Sequence, residues 1–494
     1  MGVGGDDQVA RTGLSRRGLL RLGGMGAGLA AVSSVVGACS SAGTAGTPNA
    51  TTVKFWTVAD GPEDSAFQER MYEQFNDAHP DVRIELTMFP AAQYGNALQL
   101  AFTGGEDVPD VFRAGTGATI NDVFEKEWAA PLDEFLTDDF TRRFPDFCYV
   151  DTERSPLYRG GHALTVPRSD PFVHGQRPMY CNADILEQAG ASEPPKTWSE
   201  FAELAAKITT DGGGKVFGTS VVADTPQHWV MQCLAGPQPY QSYGQPPINL
   251  IDGTPMMSHP SMIDTVEFWR KLVQDQVLTP GWESWKAEQA IQHMAGGRLG
   301  MYFFPLFHAN ELKKANPDLN LVLAPPPTPD SGRKGSLAQL SDVAQWFMSS
   351  TCQVKEAAWQ VLDFLGSVEY QRGAFQELGQ DSILPGVYEG LELDPISQQK
   401  RAMAEELVRN RPEPIFREPG FPAFYAELGS KGPKPQPRQV WFAAMTSGGY
   451  AAAAEQYDTE LAKTMDTLLE KHELTAEAFT FADWNPLEDY EQTS

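Results

Sequence analysis

The residue types that make and break bonds are present throughout this chain, but none of the local catalytic signatures they could form is complete. His472-Glu473-Leu474-Thr475-Ala476 opens like a zinc-protease helix and lacks its second histidine, and no Gly-x-Ser-x-Gly elbow occurs. Gly212-Gly213-Gly214-Lys215 reads as a turn, because no Ser or Thr follows the lysine and the glycine spacing does not fit a phosphate loop. Gly115-x-Gly117 lacks the third glycine of a dinucleotide fingerprint. The eight histidines have no ligand-pair spacing, so neither a metal nor a cofactor is expected. Asp138-Asp139 and Glu405-Glu406 read as solvated faces. Arg113 and Thr116 are of a different kind. They follow a short strand, and Gly115 and Gly117 beside Thr116 let backbone come close to a ligand. That is the chemistry of recognition, against the competing reading of an ordinary strand-to-helix turn with a surface arginine.

The elements that would position them alternate. Thr52 to Val58 reads as a strand, Phe67, Met71, Phe75 and Ala78 fall at helical spacing, and Pro80 stops that helix. Asp60 and Glu63 bracket Gly61-Pro62 as a capping box. Val82, Ile84, Leu86 and Met88 alternate as a second strand. A helix through Tyr94, Leu98, Ala101 and Phe102 then leads to a third strand, Asp110 to Arg113. This βαβαβ order predicts a parallel sheet whose ligand crevice lies at the carboxyl ends of its strands, in the loops 58–61 and 114–119. Further along, Thr197-Trp198-Ser199-Glu200 predicts a capped helix. Val216–Val222 and Leu299–Phe304 read as strands, 261–277, 284–295 and 354–365 as helices, and Trp229 falls in a helical stretch. The proline-rich segment 411–437 reads as a long surface loop, followed by a final helix through Tyr457, Leu461, Met465 and Leu468.

At 494 residues the chain exceeds one ordinary core. Its head carries Arg16 and Arg17 ahead of an uncharged, mildly apolar run ending Val36-Gly37-Ala38-Cys39. A basic start, an apolar middle and small residues before a break point predict a secretory signal. The stretch resembles a twin-arginine signal fused to a lipoprotein box, with Leu19 and Val36 as departures. That resemblance implies cleavage before Cys39 and a diacylglycerol on its thiol, a two-chain anchor. Leu22 to Pro48 is long enough to span a bilayer, but its many glycines make a poor membrane helix. After removal of 1–38 the remainder has 34 basic and 63 acidic residues, a net charge of −29. Such acidity excludes nucleic acid and anionic lipid surfaces as partners. Residues 40–51 read as a flexible tether. Cys148, Cys181, Cys233 and Cys352 match no zinc or redox motif, and both disulfides and free thiols remain open.

The order of segments resembles the extracellular solute-binding proteins of sugar-importing ABC transporters, the family of maltose- and multiple-sugar-binding lipoproteins. The matching stretches are Val53-Lys54-Phe55-Trp56-Thr57, residues 75–82, 108–113, 129–135 and 195–201, Gly296 to Tyr302, and Lys355 to Gln360. They run in the family's order over roughly residues 52–370. Two departures fall near the ligand: Phe304-Pro305-Leu306-Phe307 replaces Gly-Pro-Trp, and Tyr180-Cys181-Asn182 replaces Tyr-Tyr-Asn.

The resemblance implies an α/β, two-lobed periplasmic-binding-protein-like fold with a hinge and an interlobe ligand cleft. The expected parts are a signal peptide (1–38), a tether (39–51), a first lobe (52–167 and 303–372), a second lobe (168–302 and 373–482) and a tail (483–494). A sugar presents hydroxyls and apolar C–H faces, so its cleft needs carboxylates, amides or Arg beside aromatic rings. The expected contacts are Asp60 (or else a helix cap), Arg113, Thr116, Asp170 (or else a turn residue), Asp342 and Gln345. Trp229, Phe307, Trp346 and Trp441 would stack on the ligand, or else pack in the core. The function implied is a monomeric, lipid-anchored receptor that captures a sugar or oligosaccharide and delivers it to ABC permease subunits. It would stand on the extracytoplasmic face of a bacterial cell membrane. The alternatives are a secreted glycoside hydrolase with two acidic residues across a cleft, or the same fold taking a non-sugar solute.

Overall fold

A computed structural model describes residues 50–490, apart from 115–122, 125, 151–154, 156, 175, 224, 226–229, 231–232, 241–244, 307 and 336–344. The strands in chain order are β1 (Thr51–Ala59), β2 (Val82–Pro90), β3 (Val111–Ala114), β4 (Tyr158–Arg159), β5 (His162–Ala163) and β6 (Thr165–Pro167). They continue with β7 (Met179–Asn182), β8 (Phe217–Thr219), β9 (Leu299–Phe303), β10 (Leu321–Ala324) and β11 (Gln345–Met348).

These strands build two principal sheets. The first has the order β2-β1-β3-β11-β6, with β1 parallel to both neighbours and β11 antiparallel to β3 and β6. The second has the order β10-β7-β9-β8, with β8 and β9 parallel and β7 antiparallel to β9 and β10. Strand β1 is apolar on both faces because both are covered. Val53 and Phe55 pack with Phe67, Met71 and Phe75 of the helix Pro62–Ala78, and with Ala358 and Leu362 of Lys355–Leu365. Trp56 and Val58 pack on the other face with Tyr94, Leu98 and Phe112. The second sheet is likewise sandwiched: Met179, Cys181, Met301 and Phe303 meet Phe201, Trp269, Trp441 and Leu461. Tyr180 and Tyr302 face Ala309, Leu312 and Met403. Each such large side chain taken from water contributes about 1.5–3 kcal/mol, so each lobe holds its own core.

Several local expectations recur in the structure. The first helix starts with Pro62 in its opening turn and acidic Glu63 and Asp64 beside it. Thr197 and Glu200 form the capping box of Trp198–Asp211. Others are corrected. The cap of the first helix is Gly61, at φ +142°, and no side chain caps it, so Asp60 is not spent there. The proline-rich stretch 411–437 holds the helices Pro414–Arg417 and Phe421–Lys431, whose Phe421, Phe424, Tyr425 and Leu428 are buried in the second core. Apolar residues at helical spacing outweigh the prolines there, of which Pro414, Pro422 and Pro437 sit in the first turns of helices.

The lobe boundaries also move. Strand β10 pairs with β7, and the helix His308–Ala315 packs on the second sheet, so the chain does not re-enter the first lobe at 303. It re-enters at β11. The helix Val368–Leu378 and residues 383–387 then stay on the first core, so the last crossing follows 387 and not 372. Cys148, Cys181, Cys233 and Cys352 are all buried free thiols. Burial pushes each thiol well up, Cys352 to about 12, which makes them unreactive packing groups.

Candidate ligand-binding edge of the first lobe

Topology gathers four chain segments at one edge. Strands β1, β3 and β6 run in one direction and β11 in the other, so three carboxyl ends and one amino end meet. The register is close: Gln345 pairs with both Ala114 and Pro167. At that edge stand Asp60 after β1, Arg113 near the end of β3, Arg168 after β6 and Gln345 at the start of β11.

Their side chains form a charged network. Arg113 Nη1 donates to Asp60 Oδ2 at 2.5 Å, and Arg168 Nη2 lies 3.7 Å from the same oxygen and 3.5 Å from Asp64 Oδ1. Asp64 Oδ2 accepts from Gln68 Nε2 at 2.5 Å and from the Asp60 backbone N–H at 3.3 Å. Gln68 also donates to the Val58 carbonyl, and Tyr72 and Tyr370 join their hydroxyls at 3.2 Å below it. The Arg113 backbone is pinned by Tyr94, whose hydroxyl lies 2.7 Å from the Arg113 carbonyl oxygen and 2.9 Å from that of Trp56. Burial and the neighbouring Arg113 lower the Arg168 pKa, and Asp60 and Asp64 oppose that shift. Two guanidinium groups face two carboxylates, so the charges balance.

The balance is uneven in exposure. The Arg113 side chain is 7% exposed and that of Asp60 36%. Buried Arg113 Nε and Gln345 Oε1 have no hydrogen-bond partner among the described residues. Such unmet buried groups cost about 1–3 kcal/mol each, which a ligand hydroxyl or a water recovers. The edge can therefore accept through Asp60 and Gln345 and donate through Arg113. No group of His, Cys, Asp or Glu suited to a metal occurs among the described residues.

Of the residues expected from sequence, Asp60, Arg113 and Gln345 meet here. Trp346 does not: the residue after Gln345 points to the opposite face, and its ring is 1% exposed, edge-on to Tyr370 at 5.6 Å. Trp441 is fully buried in the second core, and its Nε1 donates to the Tyr450 hydroxyl at 3.1 Å. Neither has a free face for a sugar to stack on. Asp170 caps the short helix Pro171–His174, accepting from the Phe172 and Val173 N–H groups at 2.8 and 3.3 Å. Its backbone N–H donates to the Asp381 carbonyl, away from the charged edge. Thr116, Trp229, Phe307 and Asp342 lie outside the described residues, as do Arg16, Arg17 and Cys39. Sequence reasoning missed Asp64, Gln68 and Arg168. The signal for the first two was their spacing of four, which puts them on one face of the helix beside Asp60.

With this edge established, residues 59–372 match the family model described as bacterial extracellular solute-binding protein. The chain belongs to that family. It is 27% identical over 332 residues to a binding protein of Brucella abortus, covering 66% of this chain and 74% of the relative. It is 23% identical over 365 residues to the arabinooligosaccharide-binding protein of Bacillus subtilis, covering 73% and 79%. The sugar-binding protein MalE of Xanthomonas citri shares the fold with a TM-score of 0.62 at 18% identity, over 86% of this chain and 100% of that one. The segment order read from the sequence is thus a family membership, and the two-lobed α/β fold is the family's own. The family works outside the cell, supplying solutes to ABC importers. Among the described residues no helix is long and apolar enough to cross a membrane.

Proposed function

We propose that this chain is a monomeric, lipid-anchored receptor that captures a neutral sugar or oligosaccharide and hands it to an ABC permease without chemical change. The observation that carries the ligand class is the charge-balanced edge, where the half-exposed Asp60 is gripped by the buried Arg113 beside Gln345. Carboxylate, guanidinium and amide together match the donor and acceptor pattern of vicinal hydroxyls. The arabinooligosaccharide named for the Bacillus relative supports the same class. Export through Arg16 and Arg17 and acylation of Cys39 would hold the receptor at the membrane, where its permease stands.

Thermal-shift screening of the purified protein against mono- and oligosaccharides tests the ligand. Binding at a hundredfold excess over Kd stabilises by about 2.7 kcal/mol, a rise on the order of a few degrees. No shift with any sugar, together with cleavage of an incubated oligosaccharide, would replace the receptor by a hydrolase. For the anchor, Cys39→Ala is expected to move the protein from the membrane fraction to the soluble one. A variant that stays fully membrane-bound removes the acyl anchor.

A further inference from the structure

Arg168 stands at two places at once. Its side chain reaches Asp60 and Asp64 at the charged edge. Its backbone opens the segment 168–178 that crosses from β6 in the first sheet to β7 in the second. The start of that crossing is tied to the first-lobe segment that follows the helix Val368–Leu378: the Arg168 carbonyl accepts from Gln380 Nε2 at 2.6 Å, and the Asp170 N–H donates to the Asp381 carbonyl at 2.9 Å. One residue earlier, the Pro167 carbonyl accepts from Gln371 Nε2 at 3.2 Å. Rotating one lobe against the other must twist the segment after Arg168, because it is backbone that joins the two sheets.

We propose that Arg168 is a positioning residue that couples occupancy of the charged edge to the angle between the lobes. The inference rests on the receptor reading above. Asp60 Oδ2 is shared unequally, at 2.5 Å from Arg113 and 3.7 Å from Arg168. A ligand hydroxyl that takes part of that oxygen changes the sharing, and the Arg168 guanidinium moves toward Asp64 or back. Because its main chain is the start of the crossing, that movement biases the crossing's dihedrals. Coupling between two sites needs such an element, whose arrangement both sites influence.

Small-angle scattering of the full chain tests this without any ligand. Arg168→Gln should change the ligand-free radius of gyration, and Arg168→Lys, which keeps the charge, should restore most of it. Gln380→Leu, which removes only the donor to the Arg168 carbonyl, should shift the same quantity while leaving the carboxylates paired. Melting curves establish that each variant is folded. Ligand-free scattering of Arg168→Gln and Gln380→Leu indistinguishable from the unmodified protein overturns the proposal. With maltotriose or arabinotriose as the probe, Arg168→Gln should lose affinity about tenfold or more and fail to compact at saturation. Full compaction in that variant also overturns it, since Arg168 would then be an ordinary contact. Failure of both sugars to bind the unmodified protein would strike the receptor reading alone, because the ligand-free comparison stands apart from it.

Discussion

Asp60 is gripped through one oxygen by a buried guanidinium, yet more than a third of its side chain stays in solvent. An exposed acceptor with a fixed direction is what a hydroxyl ligand needs, since its orientation is settled before binding. Asp60→Asn keeps the shape and removes the charge. We expect sugar affinity to fall by about 10–100-fold, or roughly 1.4–2.8 kcal/mol by calorimetry. Stability should fall as well, by about 1–3 kcal/mol, because the buried Arg113 guanidinium loses its charged partner while Arg168 stays beside it. An unchanged Kd would remove Asp60 from the site. Trp441 predicts the reverse pattern. It is fully buried and bonded to Tyr450, so Trp441→Ala should cost about 3–5 kcal/mol in chemical denaturation. The affinity of the molecules that remain folded should stay within a factor of about two. A selective loss of binding with unchanged stability would return Trp441 to the ligand.

Elements decide what single residues can do, and two of them give tests. Asp170 caps Pro171–His174 from a half-buried position near Asp381, Lys400, Arg401, Tyr388 and Cys148, and desolvation raises its pKa from 3.8 to about 6. Its folded pKa lies above the unfolded one, so its stabilising contribution is full below about pH 4 and is lost as pH rises through about 6. Asp170→Asn keeps a capping oxygen and cannot ionise. Between pH 4 and 7 the variant should lose on the order of 2–3 kcal/mol less stability than the unmodified protein. An equal change in urea-derived stability between the two pH values in both proteins would show that Asp170 does not titrate there. Gly218 makes a steric test. A Cβ built there would lie 2.1 Å from the Ala205 carbonyl oxygen, backbone that cannot turn aside, so Gly218→Ala should cost at least about 1–3 kcal/mol.

The same elements show what was readable. β1 to β3, the Thr197 capping box and the helix Lys355–Leu365 were legible, because their periodicity and caps are local. The pairing of β10 with β7 was not, since four apolar residues carry no sign of which sheet they join. Asp60 and Arg113 could be placed as loop and strand-end residues. Their ion pair, across 53 positions, exists only because β1 and β3 are neighbours. Trp346 and Trp441 misled for the same reason: an aromatic in sequence does not say which side of its element is covered.

At the scale of the molecule, two separately packed lobes are joined by several backbone crossings, and side-chain contacts among the described residues also link them. Glu63, at the start of the first lobe's first helix, pairs with Lys314 on a second-lobe helix, both more than half exposed. Arg159 of β4 stacks over the Phe416 ring at 5.0 Å. The exposed ion pair contributes about 0–1 kcal/mol and weakens with salt, and the half-buried stacking contributes about 0.5–1 kcal/mol. They trim the balance between lobe arrangements but do not set it, whereas a ligand that touches both lobes can shift it by its full difference in affinity. Lys314→Ala should therefore leave sugar affinity within about fivefold, in low salt and in 0.5 M salt alike. Saturating sugar should still reduce the radius of gyration of that variant as it does in the unmodified protein. A larger loss that salt reproduces in the unmodified protein would make the rim pair, and not the ligand, the principal clasp between the lobes.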